Sequence, residues 1–310
     1  MQASATLERA QRRVAAAGGR HIGDLISWNT ERIDVSREAV RRLFATEALG
    51  HLIPNIEPAT ALSRAAGEMK RPPGIIVRPF AKPKDDTSAA FGIYQVKPGT
   101  GEGGDKYVCG ARCRVDRATN IITPLAPEGA PPIDELLAHA EAMAAHANHI
   151  ITHCETKDLS LAMVGAAKAL SGVPLRDRGG FYLLPPTTCP AWARLKPGLE
   201  QLGVKPIRIE MHDAPDNVAV AKAAAQGALE ADIADLMQDL DKAGSEGMRQ
   251  HALTRRVEIC RELMAKAELY RGVLAGVADQ ITAKAQDLQR RLEKHLTEGD
   301  GVSFSVPVKD

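Results

Sequence analysis

Three polar residues at the end of a strand-like run could carry acid–base chemistry. The run 206–211 alternates apolar and polar residues, and Glu210, His212 and Asp213 lie at its end. Functional groups often lie at strand ends in α/β layers, so one hypothesis is an enzyme with a site near 210–213 and with His212 and Asp213 as catalytic candidates. In the alternative interpretation, Asp213 caps the helix that follows. Because neither a Gly-x-Ser-x-Gly pattern nor a phosphate-loop pattern is present, we favour a non-enzymatic protein.

Histidine and cysteine residues provide a second, weaker set of candidates. His149 and His153 lie four residues apart, a spacing that places two ligands on one helical face, and Cys154, Cys189 and His212 could join them. However, no glutamate follows His149 as in the zinc-protease helix, and the chain has no second pair of cysteines. We therefore predict no metal and no cofactor.

A basic strand face is the candidate for binding nucleic acid. Four strand-like runs at 75–80, 89–96, 106–115 and 120–125 are separated by turn-rich stretches, which predicts an antiparallel meander. Alternation in the third run places Lys106, Arg112 and Arg114 on one face and Tyr107 with the apolar residues on the other.

Arg78 lies close to these residues in the predicted meander, and the aromatic residues of the same segment are Phe80, Phe91, Tyr94 and Tyr107. Cations that follow a phosphate backbone and rings that stack on bases are what a single-strand binding surface requires. The alternative is a solvated sheet face with its aromatic side chains in the core.

The segment 133–184 resembles the core of a winged helix. Predicted helices at 133–154 and 158–171 are followed by a hairpin, with Arg176 and Arg178 at its tip. The resemblance implies DNA contact through the second helix and the tip. That helix is apolar on all sides, which is typical of a buried helix rather than one that reads bases. We therefore interpret the segment as a structural layer with a winged-helix-like hairpin, and basic residues at its tip remain candidates.

From 216 to 296 the pattern predicts a long antiparallel helical hairpin that resembles a coiled coil. The apolar residues recur at intervals of three and four, and form a predicted association seam of Leu229, Ile233, Leu236, Leu240, Leu274, Val277, Ile281, Leu288 and Leu292. At about 1.5 Å per residue, the arm after Gly247 would reach roughly 75 Å against about 40 Å for the first arm. The second arm is therefore expected to bend, near Gly272 or Gly276, or to pack on another part of the chain.

Composition limits the classes of protein that fit. The net charge of +1 excludes a strong overall positive field, so any nucleic-acid binding must be local. No apolar run approaches the roughly 20 residues that span a bilayer, and the N-terminal stretch lacks the pattern of a signal peptide. Five scattered cysteines indicate reduced thiols. We expect a cytoplasmic protein that does not bind membranes.

These observations predict an α+β fold that is mainly helical. The expected parts are a helical segment at 1–70, an antiparallel meander at 71–130, a small α/β layer at 131–213, the helical hairpin at 214–298 and a tail at 299–310.

The favoured function is that of a scaffold or adaptor which self-associates, or binds a protein partner, through the hairpin. The alternatives are a nucleic-acid-binding protein that uses the basic meander face and the 173–184 hairpin, and an enzyme with a site near 210–213.

Overall fold

The computed structural model of the chain describes residues 19–80, 89–99, 104–116, 118–127, 129–176, 180–246 and 250–299. Within these residues the fold is mixed α+β with antiparallel sheets and packed C-terminal helices, as predicted. The described residues up to Thr30 and from Ser160 onward form one compact unit, called unit 1, and Glu31–Leu159 form unit 2. The segment predicted as one α/β layer, 131–213, is thus divided between the two units.

Numbered along the chain, the described strands are β1 (His21–Asn29), β2 (Asp34–Ser36), β3 (Ile75–Pro79), β4 (Ala89–Lys97), β5 (Lys106–Asp116), β6 (Ile121–Leu125), β7 (His153–Glu155), β8 (Val173–Pro174), β9 (Phe181–Leu184) and β10 (Lys205–His212). The described helices are α1 (Arg37–Ala45), α2 (Pro58–Glu68), α3 (Asp134–Thr152), α4 (Thr156–Ala169), α5 (Cys189–Gln201), α6 (Pro215–Glu246), α7 (Gln250–Leu269), α8 (Arg271–Leu274) and α9 (Val277–Gly299).

Strand β1 is an inner strand of the sheet in unit 1, which has the order β10–β1–β9–β8 with antiparallel pairing. The prediction that residues 1–70 are helical was wrong at this strand, and the helix predicted within the first 18 residues lies outside the described residues. The local pattern gave no strand signal because Gly23 and Asp24, which disfavour strands, interrupt the apolar run. Its partner β10 follows about 180 residues later, so pairing was not visible locally either.

The two faces of this sheet pack against different helices. On one face Ile22, Leu183 and Met211 belong to the same apolar core as the C-terminal helices. On the other face the ring of Trp28 lies 5.8 Å from the rings of both Tyr182 and Trp192, the latter on α5. Because both faces are covered, β1 carries buried side chains on each side.

The predicted helical hairpin is present in unit 1, and its second arm folds back on itself. Arg256 of α7 pairs with Asp239 of α6 at 2.8 Å, and Lys266 pairs with Asp232 at 3.5 Å, so α6 and α7 run antiparallel. The second arm is interrupted around α8, where Ala275 has a φ of +47°. Helix α9 then returns along α7, with which it has the most extensive helix–helix contact of the described residues. The bend therefore lies near Gly272 and Gly276, where it was predicted.

The predicted association seam lies inside the bundle formed by α6, α7 and α9. Every seam residue is buried except Val277, which is partly buried and packs against the same core. The chain thus covers this apolar surface with its own helices. None of the helices in the described part of the chain has the length and apolar character needed to cross a membrane.

In unit 2 the predicted meander is confirmed as a sheet with the order β3–β4–β5–β6. One face packs on α2 and α3, where Leu62, Ile93, Ala111 and Met143 are fully buried. The small pair of β2 and β7 was not predicted. It forms between segments that are about 120 residues apart, and β7 was included in the predicted helix 133–154.

The predicted hairpin at 173–184 is present as β8 and β9. It is not a free wing, because β9 also pairs with β1 and its residues Tyr182, Leu183 and Leu184 are buried. The turn at its tip, with Arg178, lies outside the described residues, as does the predicted tail 299–310 apart from Gly299, the last residue of α9.

Replacing the buried seam residue Leu288 by alanine should lower the free energy of unfolding by about 2–5 kcal/mol, because a cavity remains inside the bundle. Urea unfolding measures this change. The matched control is Met237→Ala, since this side chain on α6 is 47% exposed and its loss should cost about 0.5 kcal/mol or less. Light scattering should give the same oligomeric state for both variants and for the unmodified chain. A Leu288→Ala protein of unchanged stability but altered oligomeric state would contradict the intramolecular packing.

Candidate nucleic-acid interface and polar cluster

Arginine side chains share the face of the unit 2 sheet that points away from its helices. In the strand register Arg78 of β3 and Arg112 of β5 both flank Gly92 of β4, and Arg114 pairs with Ala90. Their neighbours in sequence point the other way, into the core with α2 and α3. The structure therefore brings three of the predicted basic residues together on one surface.

A bulge in β5 changes the predicted alternation. Ile93 pairs with Ala111 but Tyr94 pairs with Cys109, so Gly110 is an extra residue. A Cβ atom on Gly110 would lie 2.6 Å from Leu136 of α3, which explains why only glycine fits where strand and helix approach this closely.

The bulge exchanges the faces of the residues before it. Tyr107, predicted on the packing face, lies on the outer face and is 50% exposed. Lys106 was predicted beside Arg112 and Arg114, and that placement was wrong, since alternation from Tyr107 puts Lys106 on the opposite face at the end of β5.

Aromatic rings and guanidinium groups are stacked on the outer face. The Cζ of Arg78 lies 5.1 Å from the ring centroid of Tyr107, and the Cζ of Arg112 lies 5.1 Å from that of Phe80. These are cation–π distances. The ring of Tyr94 lies over Gly92, where a Cβ atom would be 2.6 Å from Cε2.

We call this surface the open face, and its residues are Arg78, Phe80, Tyr94, Tyr107, Arg112 and Arg114. Arg78 and Arg114 are exposed, whereas Phe80, Tyr94 and Arg112 are partly buried. Burial, together with the nearby Cys109, raises the pKa of Tyr94, so the phenol is neutral and can donate a hydrogen bond at neutral pH. Phe91 packs against the core on the helix side, so it does not belong to the open face.

A second group of polar residues surrounds the carboxylate of Asp24 in unit 1. Asp24 is fully buried, and its Oδ2 accepts a hydrogen bond from Nε of Arg208 at 2.6 Å. Its Oδ1 lies 2.8 Å from Nε2 of His21. Arg208 also donates to Glu210 at 3.0 Å. Although burial opposes the charge of Arg208, the hydrogen bond and charge of Asp24 raise its pKa.

Cys189 joins this group from the first turn of α5. Its Sγ lies within 4.8 Å of ligand atoms of both His21 and Asp24. The thiol also lies 3.2 Å from the carbonyl oxygen of Pro185. Burial and the negative charge of Asp24 raise the pKa of the thiol well above its usual range, so without a bound cation it is protonated.

We call these residues the polar cluster, which consists of His21, Asp24, Cys189, Arg208 and Glu210. A pocket of about 450 Å³ borders the cluster and is lined by His21, Pro186, Cys189, Pro190, Arg208 and Glu210. The cluster is therefore accessible to small molecules or ions although Asp24 is buried.

The predicted catalytic candidates lie at the edge of this group and do not act together. His212 is buried, and its Nδ1 lies 3.1 Å from the carbonyl oxygen of Gly19, while its Nε2 is 4.0 Å from Oε2 of Glu210. Asp213 instead accepts the backbone N–H of Arg20 at 2.9 Å. Neither residue lines the pocket, although Glu210 does.

Sequence reasoning missed His21 and Asp24, because only the pairing of β1 with β10 brings them to Glu210. Cys189 was considered only together with distant histidines. The visible signal was the charged Asp24 within the apolar run of β1, which marks a buried charge that needs partners.

The predicted histidine pair forms a separate cluster with Asp34 in unit 2. Nε2 of His149 lies 2.8 Å from Oδ1 of Asp34, and the rings of His149 and His153 are stacked with centroids 4.2 Å apart. Cys154 is buried. Imidazole lone pairs lie in the plane of the ring, so two nearly parallel stacked rings cannot direct both lone pairs at one ion without rotating.

Replacing Arg208 by methionine should lower the free energy of unfolding by about 3 kcal/mol, because the fully buried carboxylate of Asp24 loses its cationic partner. The matched control is Arg255→Met on α7. Among the described residues Arg255 forms exposed ion pairs with Glu258 and Glu262, and its loss should cost about 0.5 kcal/mol or less. Equal urea midpoints for the two variants would show that Asp24 does not depend on Arg208.

Residues 21–301 match the model of a family of unknown function, DUF6744. Among curated proteins and solved structures, none matches this chain. The matched range contains all residues of the open face and of the polar cluster. The chain therefore belongs to DUF6744, a family of unknown function.

Proposed function

We propose that the protein binds single-stranded nucleic acid on the open face of unit 2. The observation that carries this proposal is the alternation of stacked guanidinium groups and aromatic rings on one side of an antiparallel sheet. Single strands are bound by surfaces that combine cations along the backbone with flat groups that stack on bases.

Stacking is the first requirement that the open face meets. Tyr107 is half-exposed and lies near the start of β5, and the partly buried ring of Tyr94 lies over Gly92 of its own strand, β4. The guanidinium planes of Arg78 and Arg112 extend these stacks, since bases also stack on arginine. Both guanidinium groups are held in place by the aromatic rings on which they stack, so less side-chain freedom is lost when a base binds.

Phosphate binding is the second requirement. Arg114 is exposed beside the two stacked arginines, whereas the exposed Lys97 and Lys106, which pair at the far end of the strands, lie on the opposite face. Asp116 is the acidic residue at the other end of β5, and its carboxylate accepts the N–H groups of Ala118 and Thr119 in the following turn. The positive charge is therefore concentrated along the middle of the face.

The other two functional hypotheses stay predictions. A scaffold that associates through the helical seam would have to use residues that are buried inside the bundle, so association would have to involve its outer surface instead. An enzyme with His212 and Asp213 as partners is less supported by the geometry, because the two side chains contact different backbone groups. Arg176 is exposed after β8 in unit 1 and remains a candidate for nucleic-acid contact.

Binding can be tested by fluorescence anisotropy with labelled single-stranded DNA, single-stranded RNA and duplex DNA of equal length across a salt series. We expect preference for single strands and affinity that falls steeply with salt. Each phosphate contact contributes a slope of about 0.7 in the plot of log affinity against log salt. Arg78→Gln and Arg112→Gln should each weaken binding. A variant that loses one phosphate contact should also reduce the salt slope by about 0.7.

Tyr107→Ala should weaken binding by about 1–3 kcal/mol, as expected when one base loses its stacking partner. Tyr107→Phe keeps the ring and should bind nearly as well as the unmodified chain. Arg290→Gln on α9 is the charge-matched control, since Arg290 is highly exposed in unit 1. Absence of binding at low salt, or equal effects of Arg290→Gln and Arg78→Gln, would overturn the proposal.

A further inference from the structure

We infer that His21, Asp24 and Cys189 form a binding site for a divalent transition-metal ion of the zinc type. This site goes beyond the proposed nucleic-acid function and does not depend on it. An imidazole nitrogen, a carboxylate oxygen and a thiol sulfur lie within 4.8 Å of one another. Nitrogen and sulfur donors favour zinc and related ions, whereas magnesium and calcium prefer oxygen alone.

The carboxylate of Asp24 is already oriented for such a role. Nε of Arg208 holds Oδ2 at 2.6 Å, so Oδ1 is the oxygen that faces His21 at 2.8 Å. Metal-binding carboxylates are commonly fixed by a hydrogen bond to the oxygen that does not bind the ion. Arg208 is thus a positioning residue, which orients the carboxylate of Asp24 through the oxygen that would not bind the ion. On insertion of an ion, His21 and Asp24 would exchange their mutual hydrogen bond for bonds to the metal.

The charges of the cluster balance when a divalent ion is bound. The ion would be neutralised by the carboxylate of Asp24 and by the thiolate of Cys189, whose proton leaves to solvent as the sulfur–metal bond forms. The remaining cation, Arg208, is paired with Glu210 at 3.0 Å.

Access and an open coordination position come from the neighbouring pocket. His21 and Cys189 line it together with Glu210, so an ion between them faces the pocket. Three protein ligands and one position open to water or a substrate group are typical of catalytic rather than structural zinc. The side chain of His212 is a second indication of an ion-binding site here. Its side chain is 92% buried, yet its Nε2 has no hydrogen-bond partner among the described residues and lies 4.0 Å from Glu210.

The cluster of Asp34, His149 and His153 is the weaker metal candidate. Asp34 is exposed and the two imidazole rings are stacked face to face, so their lone pairs lie in two nearly parallel planes. In the polar cluster two donors come from β1 and the third from the start of α5, and their ligand atoms lie within 4.8 Å of one another.

The test is titration of the full-length chain, freed of metal by a chelator, with cobalt(II) and then zinc(II). We expect one equivalent of cobalt to give the near-ultraviolet charge-transfer band of a thiolate–cobalt bond, and zinc to displace it. Calorimetry in two buffers of different ionisation enthalpy should show release of the thiol proton. Zinc should also raise the thermal unfolding temperature of the unmodified chain.

Variants separate this site from the other thiols. Cys189→Ser should abolish the charge-transfer band, and His21→Asn should weaken cobalt binding. Arg208→Gln should weaken binding by roughly 10- to 100-fold, as removal of a group that orients a ligand does. Cys109→Ser and Cys260→Ser are the controls, and both should keep the band. Thermal unfolding without metal shows whether each variant is folded.

Either of two results would overturn the proposal. One is absence of the band in the unmodified chain at stoichiometric cobalt. The other is a band that persists in folded Cys189→Ser protein.

Discussion

The buried carboxylate of Asp24 constrains how unit 1 is built. A charge removed from water is tolerated only when partners compensate it, and these partners come from three separate stretches of chain: His21 on β1, Arg208 on β10 and Cys189 on α5. The carboxylate therefore depends on the pairing of β1 with β10 and on the packing of α5 over the same face. The fold must assemble these elements before the charge is satisfied.

The opposite face of the same sheet packs against the C-terminal helical bundle. There the side chains are apolar, and the sheet shares its core with the C-terminal bundle. Tyr270 links the two parts: it is buried at the break between α7 and α8, and its hydroxyl lies 2.7 Å from the carbonyl oxygen of Leu183 in β9 and 2.9 Å from that of Ser171. The bundle is thus anchored to the sheet. This explains why its seam is part of the core rather than a surface.

Local signals predicted local structure well. At the start of α1 the Oγ of Ser36 accepts the N–H of Ala39, the capping interaction that serine favours at a helix N-terminus. The meander, the β8–β9 hairpin and the bent C-terminal arm were also predicted, since each depends on turn residues or on periodicity within a short stretch. Pairing across long separations was not predicted. Strand β1 has no local partner, and its inner position became visible only from the distant β10.

The difference between local signals and long-range pairing also decides which residues of the two sites were predicted. Arg112 and Arg114 could be placed on one face because strand alternation is a local rule, whereas Arg78 was predicted only to lie close to them. Tyr107 and Lys106 were exchanged because the bulge at Gly110 depends on contact with α3, which alternation alone does not encode. For the polar cluster, Glu210 was found from its position at a strand end. Its partners were missed, since no spacing relates residue 24 to residues 189 and 208.

Arginine illustrates how neighbours decide what a charged side chain can do. Arg208 is committed to a buried carboxylate, and moving it would leave that charge unpaired. Arg78 and Arg112 lie over aromatic rings instead, an interaction that is weaker at exposed sites, about 0.5–1 kcal/mol. Since the whole chain has a net charge of only +1, long-range attraction to a polyanion is weak. Any binding on the open face must therefore rest on short-range contacts of these arginines and rings, which the strand register holds in a fixed array.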